Sequence, residues 1–288
     1  MIRSPLRYPG GKSRATERIR RLLPHSFEEY REPFVGGGSC FVYFRAIYPQ
    51  LRFWINDLNP ELYYFWKYAQ EDSEKLARAI LSIKRERTDG RALFEELTGV
   101  NAESLTGFER AVRFFILNRI TFSGVAEAGG YSQLAFSSRF TESSILRVAA
   151  LGELLQGVRI TNFDYRQVLA HSDKKVFAFL DPPYFKAIKS KLYGKNGILH
   201  TSFNHNEFAD ALRMCRHLWL VTYDDSPEIR NNFSFAHIYA WKLQYGMNNY
   251  KQGTAAPGRE LFIANYPLPL QAEDEAGAGE KPRPRRLI

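Results

Sequence analysis

The chain has 288 residues, enough for one large hydrophobic core or a core with a smaller lobe. Its 40 Lys and Arg against 31 Asp and Glu leave a formal net charge of +9, which favours a polyanionic partner over an acidic or neutral small molecule. The only cysteines, Cys40 and Cys215, exclude a disulfide framework and a Cys-rich zinc site, and no stretch approaches the ~18 apolar residues of a membrane span.

Solubility alone could account for the charge, but the basic residues cluster. Residues 1–24 hold seven Lys and Arg against the single acid Glu17, and Lys186, Lys189, Lys191 and Lys195 form a run without an acid. Both stretches suit phosphate contacts. The N-terminus lacks the apolar run of a signal peptide, so a cytoplasmic protein is expected.

In chain order, a helix is expected over 12–23. Gly11-Lys12-Ser13 imitates the end of a phosphate-binding loop, but Leu6 stands where that loop needs a glycine, so nucleotide hydrolysis is not expected. A strand over 30–32 then runs into Glu32-Pro33-Phe34-Val35-Gly36-Gly37-Gly38-Ser39 and a helix over 38–46. Glycines between a strand and a helix permit a tight turn and the close backbone approach of a nucleoside. The third glycine of a dinucleotide fingerprint is missing from the register.

A second strand, 51–55, leads to Asn56-Asp57-Leu58-Asn59, with a helix over 60–70 behind it. Asp57 lies about twenty residues beyond the glycines, where a carboxylate grips ribose hydroxyls. From 72 to 157 the strand signals vanish. Helices are expected there at 108–118 and 143–155 around a Gly/Ser-rich stretch, GVAEAGGYSQLAFSSRF, and this part is read as a helical insertion. The alternation of strands and helices resumes with strands over 158–161, 176–180, 217–222, 235–243 and 260–266 and a helix over 206–216. The expected organisation is a catalytic domain of 1–71 and 158–270, the insertion 72–157, and a flexible tail, 271–288, low in apolar residues.

The strongest local signal is Asp181-Pro182-Pro183-Tyr184, directly after the apolar run 176–180. Two prolines hold the backbone extended and remove two N–H donors, so carbonyls and the Asp side chain are presented rigidly. A carboxylate, a fixed carbonyl and an aromatic face make a receptor for a planar ring bearing an amino group. Asp-Pro and Pro-Pro also occur in ordinary turns; the glycine loop and Asp57 are what favour chemistry here. His200 and His205 flank Phe203 near this segment, but their spacing of five fits no helix face and no further ligand completes a set, so no metal is expected.

Together these motifs resemble the D12 class of DNA adenine methyltransferases, in the order of its alpha group, from Tyr8 to Tyr266. Arg7-Tyr8-Pro9-Gly10-Gly11-Lys12 looks like the family's N-terminal cofactor motif, 32–39 its glycine loop and Asn56-Asp57 its ribose-binding acid. Asn162-Phe163-Asp164-Tyr165 falls where the family closes the cofactor's adenine pocket, and 181–184 is its catalytic tetrad. The resemblance implies an α/β fold: a seven-stranded, Rossmann-like S-adenosylmethionine-dependent sheet with a helical target-recognition lobe. Tyr8, Lys12, Glu32, Phe34, Gly36, Gly38, Asp57, Phe163, Asp164 and Asp181 would hold the cofactor, with Asp181, Pro182 and Tyr184 catalytic. Tyr184 and Phe203 would stack on a flipped base, and Arg7, Asn118, Arg119, Ser123 and Arg139 would contact DNA. The chain continues Val125-Ala126-Glu127 where the GATC-reading branch carries an arginine, so that site is not implied.

The expected activity is methyl transfer to adenine N6 in double-stranded DNA. An N4-cytosine methyltransferase is the nearest rival, although serine is commoner than Asp181 in that group. A silent DNA-binding protein on the same fold is the other. A cognate restriction endonuclease is a further expected partner, and a monomer in a bacterial or phage-infected cell the expected state.

Overall fold

The computed structural model describes residues 3–126, 129–185, 203–243 and 258–268. Lys186, Lys189, Lys191, Lys195, Glu127, His200 and the tail 271–288 lie outside the described residues.

The strands are β1 (Glu29–Glu32), β2 (Arg52–Asn56), β3 (Arg159–Thr161), β4 (Val176–Leu180), β5 (Leu218–Asp224), β6 (His237–Leu243) and β7 (Gly258–Ala264). Among the described residues they form one seven-stranded sheet in the order β3-β2-β1-β4-β5-β7-β6. The first five strands of that order are parallel, and β7 runs antiparallel to both β5 and β6. The expected α/β class with seven strands is therefore the observed one.

The apolar run of β4 is buried at every residue, as a central parallel strand covered on both faces must be. Phe177 and Phe179 pack into one layer, and Ala178 and Leu180 into the other. β1 is also wholly buried although its sequence is Glu-Tyr-Arg-Glu. Arg31 makes this tolerable, because its guanidinium meets Glu29 at 2.6 Å, Asp173 at 2.8 Å and the carbonyls of Val168 and His171 at 2.8 Å.

The chain winds from β1 outward to β3, then crosses back to place β4 on the other side of β1. In open α/β sheets such a reversal leaves a crevice at the carboxyl ends of the two central strands. Here those ends are Glu32 and Leu180, followed directly by the glycine loop and by Asp181.

Helices cover both faces: α1 (Thr16–Arg21), α2 (Ser39–Ile47), α3 (Pro60–Glu86), α4 (Gly90–Gly99), α5 (Gly107–Ile120), α6 (Gln133–Arg139), α7 (Glu142–Ala149), α8 (Leu151–Leu155), α9 (Tyr165–Ala170), α10 (His205–Met214) and α11 (Pro227–Asn232). The 72–157 segment shares its core with one face of the sheet: Phe65 of α3 stacks on Phe115 of α5 at 5.9 Å, beside Trp66 and Phe41. The other face is closed by Tyr165, Phe208, Trp219 and Phe233.

Several boundaries differ from the sequence reading. The first helix begins at Thr16 rather than 12, because residues 12–15 form a turn closed by the Ala15 N–H, which donates to the Lys12 carbonyl at 2.8 Å. The helix expected to end at 70 continues to Glu86, with a kink at Asp72 whose carboxylate accepts from the Lys75 N–H at 2.7 Å and so caps the second half. The expected boundary at 71/72 thus falls at that kink. The helix expected over 143–155 is two, α7 and α8. No helix among the described residues is long and apolar enough to cross a membrane.

Candidate active site

Three loops follow β1, β2 and β3, and Asn56 ties them together. Its Nδ2 donates to the carbonyls of Pro33 at 3.0 Å and Phe163 at 2.9 Å, and its Oδ1 accepts from the Phe163 N–H at 2.8 Å. Asn162 adds donors to the carbonyls of Asp57 at 2.7 Å and Leu58 at 3.0 Å. The segment from 33 to 38, Asp57 and Phe163 are therefore held in one frame by the buried amide of Asn56 and the exposed amide of Asn162 rather than left as free loops.

Asp57 is oriented by the backbone. The Gly36 N–H donates to Oδ2 at 2.9 Å and the Asn59 N–H to Oδ1 at 3.0 Å. Burial outweighs these two donors and pushes its carboxyl up to about 6. Glu32, at the end of β1, accepts from the Tyr30 hydroxyl at 2.8 Å, and burial holds it well above the usual carboxylate range.

The glycine loop owes its composition to packing against the protein itself. Gly36 and Gly38 have φ of +46° and +64°. A Cβ at Gly36 or Gly37 would strike the Tyr8 side chain at 2.8 or 2.6 Å, and one at Gly38 would lie 2.5 Å from the Trp66 ring. Tyr8 and Trp66 thus occupy the side on which a Cβ would stand, while Gly36, Gly37 and Gly38 also line the cavity described below.

At the end of β4, Asp181 is gripped from two sides. Lys12 Nζ lies 2.9 Å from Oδ1 and 3.1 Å from Oδ2, and the Thr222 hydroxyl of β5 donates to Oδ1 at 2.7 Å. The Lys12 ammonium also stands 4.8 Å above the Tyr184 ring, which packs against Tyr223 at 5.9 Å. The segment is pinned beyond Tyr184 by the Phe185 N–H, which donates to Asp224 at 2.9 Å.

All these groups open on one cavity of about 810 Å³, lined by residues 8–12, 32–40, 57–59, 163–166 and 181–184 with Phe203 and Asp224 among others. Of the expected cofactor and catalytic residues, Tyr8, Lys12, Glu32, Phe34, Gly36, Gly38, Asp57, Phe163, Asp164, Asp181, Pro182 and Tyr184 all line it. Phe203 forms an aromatic wall with Phe34 at 5.8 Å and Tyr165 at 5.8 Å. Asp164 is largely spent locally: it caps α9 and pairs with Arg166 at 2.8 Å, which draws its carboxyl below the ordinary value.

The expected DNA contacts divide. Asn118 is 0 % exposed, donating to the carbonyls of Arg7 and Gly124 at 2.6 and 2.8 Å and accepting from the Arg7 N–H at 2.9 Å. Arg119 is buried too, bonded to the carbonyls of Pro5 at 3.0 Å and Arg139 at 2.8 Å. Neither side chain is available to DNA, and that expectation is corrected: both fasten the segment leading to Tyr8 onto α5. Arg7 is partly exposed, Ser123 half-buried with φ of +55°, and Arg139 exposed. Burial pushes Arg119 down to about 9, with Arg7, Arg147 and Arg139 repelling it further, so positive charge is concentrated at this spot. Phe122, 62 % exposed beside Ser123, was not singled out from the sequence.

His205 faces the Tyr223 hydroxyl. Among the described residues no group of three or more His, Cys, Asp or Glu is placed to hold a metal ion. Thr222 and Glu260, both buried beside the 181–184 segment, also escaped the sequence reading. A lone threonine within the apolar run of β5 was the available signal for the first.

Comparison with known proteins agrees with the geometry. Residues 8–247 match the family model described as D12 class N6 adenine-specific DNA methyltransferase. The type II methyltransferase M1.LlaDCHI of Lactococcus lactis subsp. cremoris is 23% identical over 290 residues, covering 92% of this chain and 96% of its own. The type II methyltransferase M.MjaIII of Methanocaldococcus jannaschii is 24% identical over 231 residues, covering 73% and 77%. A DNA adenine methylase of Salmonella typhi is 24% identical over 282 residues, covering 90% and 99%. With the family model spanning most of the sequence, and an acid-lined crevice where its sheet reverses, the chain belongs to the D12 class of N6 adenine-specific DNA methyltransferases.

Proposed function

We propose that the chain takes its methyl group from S-adenosylmethionine and delivers it to N6 of an adenine flipped out of double-stranded DNA, with Asp181, Pro182 and Tyr184 as the catalytic set. The observation that carries this reading is that Asp181 and Asp57 line one cavity at the sheet's switch point, with Asp181 fixed by Lys12 and Thr222.

The cavity suits that cofactor. Its volume lies within the ~300–1,000 Å³ of small-molecule sites, and, leaving aside Glu32 whose carboxyl burial raises, its lining acids outnumber its bases five to three, counting Asp57, Asp164, Asp181, Glu207 and Asp224 against Lys12, Arg166 and Arg259. An acid surplus favours a ligand bearing a sulfonium and an ammonium. Asp57 would hold the ribose, Phe163 and Phe34 would face the adenine, and the 32–38 segment with Tyr8 would hold the methionine end. When bound, the cofactor supplies an electrophilic methyl carbon.

The remaining chemistry belongs to the chain. The lone pair of adenine N6 is delocalised into its ring. Asp181 and the Pro182 carbonyl would accept hydrogen bonds from the two N6 hydrogens and turn that lone pair toward the methyl. A carboxylate offers about four acceptor positions, and the Lys12 and Thr222 contacts leave room for one more donor. These acceptors tighten as positive charge grows on N6, so they favour the transition state over the ground state. Tyr184 and Phe203 would stack on the extruded base, offsetting part of the few kcal/mol that flipping costs.

Residues 72–157 would form the target-recognition unit, with Arg7, Ser123 and Arg139 meeting the DNA. The two type II relatives make a cognate endonuclease the partner to look for, and a cytoplasmic monomer suffices for every step above. Modification-aware sequencing of DNA from cells expressing the chain tests the reading. N6-methyladenine at one fixed context is expected, and DNA left unmodified at every site would overturn it.

A further inference from the structure

Glu260 of β7 is 1 % exposed, and among the described residues its carboxyl oxygens make no well-formed hydrogen bond, the buried Tyr184 hydroxyl being the donor within its reach. An acid so placed is costly unless it serves something. In register it lies between Asp224 of β5 and Trp241 of β6, whose Nε1 is likewise buried without a partner among the described residues. The charged and titratable groups around it are Lys12 from the N-terminal segment, Asp181 and the buried Tyr184 hydroxyl from the catalytic segment, and Asp224 from β5. Arg18 of α1 stands over the Trp241 ring at 5.3 Å. Lys12 attracts the Glu260 carboxylate, while Asp181 and Asp224 oppose its ionisation.

We propose that Glu260 is a positioning residue for methyl transfer: ionised, it competes with Asp181 for the Lys12 ammonium and so sets how strongly Asp181 holds the substrate amine. The proposal rests on the assignment of Asp181 as the acceptor for N6.

With Glu260 protonated, Lys12 and Asp181 form a neutral pair, and the full lysine charge faces the amine that must itself become cationic. Ionising Glu260 takes the cluster of Lys12, Asp181 and Glu260 from neutral to −1. The extra charge is buried, where it is poorly screened, and it stabilises the cation that develops on N6. Burial pushes Glu260 up to about 7, so the change in charge falls within the working range of a cell.

The test is single-turnover methylation of a duplex substrate at saturating S-adenosylmethionine, from about pH 5.5 to about pH 9, for the wild type, Glu260→Gln and Glu260→Asp. The wild-type rate should rise through a midpoint near 7. Glu260→Gln should lose that limb and run ~10-fold slower at alkaline pH, with the cofactor Kd from a separate titration within about twofold of wild type. Glu260→Asp should keep the limb with a displaced midpoint. A Glu260→Gln profile that keeps the wild-type limb overturns the proposal. Should that variant fail to fold by circular dichroism, an unmoved midpoint in Glu260→Asp does the same. Absence of methylation by the wild type at every pH would instead refute the catalytic reading beneath it.

Discussion

Lys12 and Asp181 are 169 positions apart in sequence, yet the ammonium of one lies 2.9 Å from the carboxylate of the other. The lysine is 3 % exposed and is also stacked on Tyr184. Its first partner is thus Asp181, the proposed acceptor for the target amine, and any contact with the cofactor's carboxylate end would come in addition.

That placement separates two effects of removing it. Lys12→Ala should lower kcat ~100-fold by leaving Asp181 unaligned, with a smaller rise in the cofactor KM. Lys12→Arg should not restore the rate, because a planar guanidinium does not fit a buried site built for a point charge. Steady-state kinetics on both variants check this.

Asp57, the proposed ribose ligand, should make cofactor binding pH-dependent. Its carboxyl titrates at about 6 in the free protein rather than near 4, and a cationic nucleoside binds the ionised form. Affinity should therefore be level above pH 7 and weaken ~10-fold per unit below 6. The stability effect has the opposite sense. A carboxyl raised by folding contributes stability that is complete below its unfolded pKa and is lost as pH rises through 6, so Asp57→Asn should melt higher than wild type at pH 8 and alike at pH 4. Calorimetric titration and thermal melts across that range measure the two effects separately.

Gly38 is required by both backbone and packing. With φ of +64° and the Trp66 ring 2.5 Å from where a Cβ would sit, Gly38→Ala should cost ~2–3 kcal/mol of stability. Denaturant unfolding gives the number, and cofactor affinity should fall with it as the loop shifts away from Asp57.

The division among the insertion residues is also open to measurement. Arg139→Ala should weaken DNA binding and reduce the salt slope by ~1, as loss of one phosphate contact does. Asn118→Ala should leave the salt slope unchanged and destabilise the fold by ~1–3 kcal/mol through orphaned buried carbonyls. Fluorescence anisotropy against salt concentration separates these outcomes.

Much of the sheet was legible because parallel strands buried on both faces appear as uninterrupted apolar runs; 176–180 coincides with β4. The short helices α9 and α11 were not, although Asp164 with Gln167 forms a capping box and Ser226 caps the other. Six-residue helices carry too little periodicity to stand out. In the site, the residues that line the cavity were readable from local motifs. Their partners were not: Lys12 reaches Asp181, Thr222 braces it and Glu260 lies behind it only because the sheet folds distant segments together. Asn118 and Arg119 misled for the converse reason, since a polar pair on a helix gives no local sign of which carbonyls it will meet.

The central claim is that Asp181 accepts the target amine. Methyl transfer by Asp181→Ala, measured with labelled cofactor beside separate titrations of cofactor and DNA, tests it most directly. A rate at least ~10³-fold below wild type is expected, with both ligands still bound and the fold intact. Transfer within about tenfold of wild type under those conditions would contradict it.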